Sequence, residues 1–170
     1  MPIQLVDNGA GEDTEGRGAT RDLQLALASN RDDSCLGYVV AGGDNVFDFD
    51  VAPLVQQFQR DHLPLLVLRH VGELIPKRYS EAVVDAQRRV TSLREKPADP
   101  VSPYSAICLY FLPADLPALV DRFLASGGNG DAPGHFMAWL VQHTEVRGAR
   151  FAGRWRSEEH TSELQSRQYL

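Results

Sequence analysis

No stretch of this sequence approaches the roughly eighteen uninterrupted apolar residues of a membrane-spanning helix. Met1 is followed by no basic and then apolar leader of the secretory kind, so the expectation is a cytoplasmic protein with no membrane partner. Cysteine is scarce. Cys35 and Cys108 are the only two and lie far apart, which argues against a disulfide or a metal pair, and both are read as buried reduced thiols. An excess of positive charge is lacking too: the formal net charge is -6 and the pI is near 5.3. Binding a phosphate backbone needs a basic surface, so nucleic acid is excluded as the expected partner, while a small anion that brings its own metal fits. Metal-ligand spacing is absent among the histidines. His70 lies in an apolar run and His135 and His143 flank a helix face, and all three read as structural. Ser34, Ser80 and Ser105 lack the flanking glycines of a nucleophile elbow.

What is present is the mix of one globular domain: 170 residues, 43% hydrophobic and 24% charged. Short apolar or β-branched runs alternate with amphipathic stretches, which predicts an α/β layered sheet. Ile3 to Val6 reads as a strand ended by Asp7, Asn8 and Gly9, and Gly11 to Gly18 as a polar loop. Leu23 and Leu27 make a helical stripe behind Thr20, a candidate cap, with an end by Asn30. Leu36 to Ala41 has the composition of a buried parallel strand, and Asp50 is placed to cap a helix whose inner face is Leu54, Val55 and Phe58. Pro64 to Val71 is another buried strand. Glu81 to Val84 and Arg89 to Arg94 form a hairpin across Asp85-Ala86-Gln87-Arg88. Pro97, Pro100 and Pro103 then keep the chain extended before a strand from Tyr104 to Leu112. A helix over Leu116 to Leu124 ends at Ser126-Gly127-Gly128, a short helix fits Phe136 to Gln142, and Val146 to Phe151 is the last strand. Phe136 and Trp139, at helical spacing, read as core anchors.

The segment Arg156 to Leu170 stands apart, because Arg156-Ser157-Glu158-Glu159-His160-Thr161-Ser162-Glu163-Leu164-Gln165-Ser166 can be back-translated into a widely used sequencing adapter. Residues 156–170 are therefore expected to be a non-native tail, and residues 1–155 a partial domain; such scars are set aside before fold reasoning.

The sharpest local feature is Ala41-Gly42-Gly43-Asp44-Asn45-Val46-Phe47-Asp48-Phe49. It sets a carboxylate just past an apolar strand, with glycines that allow close ligand approach, at the sheet edge where open α/β folds bind ligands. A carboxylate there can hold a magnesium ion shared with phosphate oxygens. A plain Gly-Gly-Asp turn after a strand is common, and on this string alone it is the better explanation. Diguanylate cyclases carry a similar signature, but Asn45 stands where they require an acidic residue.

Read in order, Gly43 to Phe49, Arg94-Glu95-Lys96-Pro97, Leu109-Tyr110-Phe111, Asp131 to Leu140 and Phe151-Ala152-Gly153-Arg154-Trp155 resemble the sugar-1-phosphate nucleotidyltransferase family that includes glucose-1-phosphate thymidylyltransferases. Pro2 to Asp7 and Gly18 to Ala28 are more weakly similar to the segment before the acidic strand. The resemblance implies a three-layer, Rossmann-like mixed sheet of the nucleotide-diphospho-sugar transferase type, incomplete in this chain. It implies transfer of a nucleotidyl group from an NTP or dNTP to a sugar-1-phosphate, with Mg2+ and release of pyrophosphate. By family position Asp44 is a magnesium ligand and Lys96 neutralises the sugar phosphate, as suits a flexible ammonium. Glu95 accepts hydrogen bonds from sugar hydroxyls, Gly43 and Tyr79 border the substrate, and Gly18 lies near the base. The family's glycine-rich, Arg-containing loop and its late metal-binding aspartate have no counterpart here, so this chain alone is expected to be inactive. Ser80 and Cys108 occupy positions where glycine is usual. Two other classes stay open: a non-catalytic sugar-nucleotide-binding or regulatory module, and an unrelated glycosyltransferase-like enzyme that handles phosphate.

Overall fold

The structure, a computed structural model, describes residues 3–9, 18–30 and 34–157. Its elements in chain order are α1 (Ala19–Ser29), β1 (Gly37–Ala41), β2 (Val46–Phe47), α2 (Ala52–Asp61), β3 (Leu65–His70), β4 (Glu81–Val84), β5 (Val90–Arg94), β6 (Tyr104–Pro113), α3 (Leu116–Ala125), α4 (Pro133–His143), β7 (Arg147–Arg150) and β8 (Trp155–Arg156).

The long strand β6 organises the fold. Along one edge it pairs antiparallel with β3, which continues to a parallel β7. Its other edge is shared by two strands set end to end, β4 opposite Tyr104 and Ser105 and β1 opposite Leu109 to Pro113. The predicted hairpin forms, with β5 beside β4, and its turn reaches round to β7 through an Arg89–Arg147 bridge. A second, two-stranded sheet joins β2 to β8.

Alternation along β3 and β6 sends side chains to two cores, because successive strand residues point to opposite faces. Leu66, Leu68, Tyr110 and Leu112 pack beneath α1, α3 and α4 with Val120, Phe123, Phe136 and Leu140. Leu65, Val67, Ile107 and Phe111 pack on the other side with Leu54 and Phe58 of α2. The result is the expected three-layer mixed sheet. Leu112 is fully buried, so its truncation to alanine would open a cavity at a cost of about 2–5 kcal/mol. Phe136 and Trp139 are core anchors: Phe136 is buried, and Trp139 stacks on it with ring centroids 6.1 Å apart.

Several expectations are corrected. Ile3 to Val6 forms no strand, and Ile3 and Leu5 are 92% and 93% exposed, since no described strand lies beside them. β1 is neither buried nor paired in parallel: among the described residues its one partner is the antiparallel β6, leaving Leu36 and Val39 78% and 60% exposed. Thr20 is inside α1 and does not cap it. The first amides of α1, at Ala19 and Thr20, donate to the carbonyls of Asp131 and Gly130, which satisfies donors a side chain would otherwise serve. The Thr20 hydroxyl instead donates to the Ala132 carbonyl at 3.2 Å. Asp50 accepts the Ala52 N–H at 2.9 Å from one position outside the cap, which is Val51. α4 starts three residues earlier than expected, with Pro133 in its first turn, where a missing N–H costs nothing. Both cysteines are free thiols and half-buried rather than fully buried. The polar loop after Gly9 lies outside the described residues, apart from Gly18.

Candidate active site

Between the last β1 pair and the first β4 pair, no strand among the described residues pairs with that edge of β6, and a cleft of about 240 Å³ opens over the gap. Asp44 and Asn45 stand on one wall, carried by the turn that leaves β1. Glu95 and Lys96, just past β5, stand on the other with Tyr79 and Ser80. Trp155 closes one side, with Ser157 of the segment expected to be a non-native tail beside it, and Ala132 to Gly134 at the start of α4 close another. The fold thus brings four of the six sequence-predicted site residues, Asp44, Lys96, Glu95 and Tyr79, to one opening. Gly43 sits in the same turn without lining the cleft and has open space about it. Gly18 is not a lining residue. Its φ of 89° and the closeness of Gly130 O, 2.6 Å from where a Cβ would stand, account for glycine there.

The Glu95 wall is built by hydrogen bonds. The Ser80 hydroxyl donates to Glu95 Oε2 at 2.7 Å, so the residue that replaces a usual glycine occupies one of the oxygens assigned to sugar recognition. Glycine at 134 leaves room for the same carboxylate, since a Cβ there would collide with Glu95 Oε2. Behind this wall Glu81, 3% exposed, accepts from the amides of Val101 and Ser102 and from Arg94 Nε at 2.8 Å. Burial pushes the Glu81 carboxyl up, but the amide of Ser102, the Arg94 guanidinium and the amide of Val101 outweigh it and hold its pKa below the ordinary value. Arg94 also bonds the Asp99 side chain at 3.1 Å and its carbonyl at 2.8 Å. The segment from Glu95 to Ser102 is therefore fastened at both ends.

The floor is Cys108 and Tyr110. Cys108 has a φ of 52°, a left-handed conformation that favours glycine, the residue the sequence resemblance leads one to expect here. Its carbonyl accepts the Gly42 N–H at 2.9 Å, where β1 peels away. Burial raises the Cys108 pKa, and the carboxylates of Asp44 and Glu95 act in the same direction. These causes favour the thiol over the thiolate. Tyr110 is pushed well above its ordinary value, chiefly by burial.

Three contributors escaped the sequence reading. The Trp155 indole N–H donates to Asn45 Oδ1 at 2.9 Å, locking β8 to the acidic turn. Arg69 lies between two aromatic rings, its guanidinium carbon 5.3 Å from the centroids of both Tyr79 and Trp155. Glu81 is the third, and its opposite charge to Arg94 across the hairpin register was the available signal.

Among the described residues no group of three or more His, Cys, Asp or Glu could by itself enclose a metal ion. The donor set at this cleft fits magnesium only as an ion anchored by a single exposed carboxylate, Asp44, and otherwise coordinated by substrate phosphates and water, a mode common for this cation.

Residues 6–132 match the family model described as nucleotidyl transferase. Among solved structures the fold is similar to that of a glucose-1-phosphate thymidylyltransferase from Bacillus anthracis in complex with a sucrose, at 20% identity and a TM-score of 0.70, covering 88% of this chain and 58% of that one. It is also similar to UDP-glucose pyrophosphorylase, in an apo form (12% identity, TM-score 0.70, 91% and 62% covered) and complexed with UDP-glucose (12%, 0.72, 92% and 63%). No curated protein gives a significant match. At these identities the likeness establishes the Rossmann-like fold, and the chain spans about three-fifths of the length of the structures it matches. Most of its sequence is nonetheless covered by the family model, and on that basis the chain belongs to the nucleotidyl transferase family.

Proposed function

We propose that the protein of which this chain is part makes a nucleotide sugar in the cytoplasm. A phosphate oxygen of a sugar-1-phosphate attacks the α-phosphorus of an NTP or dNTP, the new P–O bond forms as the α–β bridge breaks, and pyrophosphate leaves. The observation that carries this reading is the convergence of Asp44 with Glu95 and Lys96 on one cleft from opposite ends of the β6 gap. Such a reaction asks the protein mainly to position two anions and to offset their charge. Lys96 supplies a cation for the sugar phosphate. Glu95 accepts from a sugar hydroxyl through the oxygen that Ser80 leaves open, and Tyr79 and Gly43 border the substrate. Asp44 would hold Mg2+, which when bound neutralises phosphate charge. Gly18, next to the α4 entrance, is assigned to the base side.

In this reading residues 1–155 are a partial domain and residues 156–170 a non-native tail, so the chain by itself is inactive. The test is pyrophosphate release from nucleoside triphosphate plus sugar-1-phosphate by the protein encoded in the uninterrupted gene. Activity that falls at least 100-fold, roughly 3 kcal/mol, in Asp44→Asn and in Lys96→Ala is expected. Absence of release across several sugars and bases would sink the proposal.

A further inference from the structure

Apart from this cleft, at the carboxyl ends of the parallel pair β3 and β7, an open hollow of about 600 Å³ gathers Arg69, His70, Arg88 and Arg150 against Leu68 and Phe151. Among the described residues no carboxylate lines it. In a chain of net charge -6 such a concentration of cations is not a sample of the average surface. The other arginines of the region are spoken for: Arg89 pairs with Asp85, Arg147 with Glu145, and Arg154 with Asp48. Arg69, Arg88 and Arg150 have no ion-pair partner among the described residues. Asp85, which lines the adjoining hollow with Arg88 and Arg150, is held by Arg89 and by the amides of Gln87 and Arg89.

The placement of Arg88 is built into the fold. It ends the hairpin turn with a φ of 62°, and its carbonyl accepts the Gly148 N–H at 2.8 Å, fixing the turn beside β7 two residues before Arg150. Arg69 is engaged with the Tyr79 and Trp155 rings, so Arg88 and Arg150 are the guanidinium groups available to an incoming ligand. Planar guanidinium forks suit the oxygens of a phosphate, and the carboxyl edge of parallel strands is a usual place for ligands.

We propose that this hollow binds a phosphoryl dianion, free or on a small molecule, at a place separate from the Asp44 cleft, with Arg88 and Arg150 as principal contacts and His70 at the margin. Because Arg69 links the hollow to Tyr79 and Trp155, occupancy is felt at the wall of the cleft.

The test is calorimetric titration of the chain with inorganic phosphate at constant ionic strength held with chloride. Saturable binding is expected. Arg88→Gln with Arg150→Gln should weaken it at least tenfold, and Lys96→Ala should leave it within twofold. Amide shifts of the unmodified chain on adding phosphate provide a measurement independent of how the variants fold. Shifts centred on residues 69–70, 88 and 150–153 support the site. Absence of saturable binding, loss in Lys96→Ala, an unaffected double variant, or shifts centred on residues 44 and 95–96 would overturn it. None of these outcomes depends on nucleotidyl transfer, so the site and the proposed activity stand or fall separately.

Discussion

The two walls of the cleft are held by different means. The hairpin wall, with Glu95 and Lys96, is fastened by charge and buried amides: Glu81 joins β4 to Arg94 and to the Val101–Ser102 backbone, and Arg94 joins Asp99. The Asp44 wall is an exposed turn at the end of an edge strand, secured by the short β2–β8 ladder and the Trp155–Asn45 bond. One wall is prearranged by contacts within neighbouring sequence. The other depends on a late segment of the chain returning to it, so the two should fail differently.

The largest expected effect is on the hairpin wall. Glu81→Gln removes the charge that both Arg94 and two amides address, and global stability should fall by about 2–3 kcal/mol in denaturant titration. The pKa of Glu81 is lowered in the folded state, so its stabilisation is complete above the ordinary carboxylate range and is lost as pH falls through the lower, folded value. Acidification below about pH 4.5 should therefore cost the unmodified chain more stability than Glu81→Gln. Equal acid sensitivity in the two would remove Glu81 from the account. Trp155→Ala should cost less, about 1–2 kcal/mol, and act locally. Hydrogen exchange should accelerate at Val46 and Phe47 while β4 and β5 keep their protection. Uniform acceleration would mean that the two walls are one cooperative unit. The smallest effect belongs to Ser80→Gly, within about 1 kcal/mol of neutral for stability. In the complete protein it should lower KM for the sugar phosphate by releasing Glu95 Oε2, and an unchanged KM would show that this oxygen does not meet the substrate.

Much of the sheet was legible because buried strands are continuous apolar runs and helices carry period-3.6 stripes. Pairing direction was not. The run from Leu36 to Ala41 has the composition of a parallel interior strand, yet among the described residues it lies antiparallel on an edge, because composition reports apolar character and not the neighbour. Thr20 illustrates a related limit, as the carbonyls that serve the start of α1 come from residues more than a hundred positions later. Asp44, Glu95 and Lys96 could be named from ordered motifs. Cys108 and Ser80 were visible as departures from glycine, and the left-handed φ at 108 and the bond from Ser80 to Glu95 give those departures a physical content. The Arg69 contacts were invisible, since three residues scattered along the chain signal nothing until folding sets the guanidinium over both rings.

The gap in the edge of β6 is also where that strand slips against β3. From Ala106 to Tyr110 it advances four residues while β3 advances two, from Leu68 to Leu66, with the left-handed Cys108 between them. Two surplus residues keep the alternation, so Ala106 and Tyr110 both face the core beneath α1, α3 and α4. A single surplus residue would invert every side chain beyond it and exchange the two cores. The strand beneath the opening can therefore be lengthened only by residues in pairs, and finer adjustment is left to the side chains that line it.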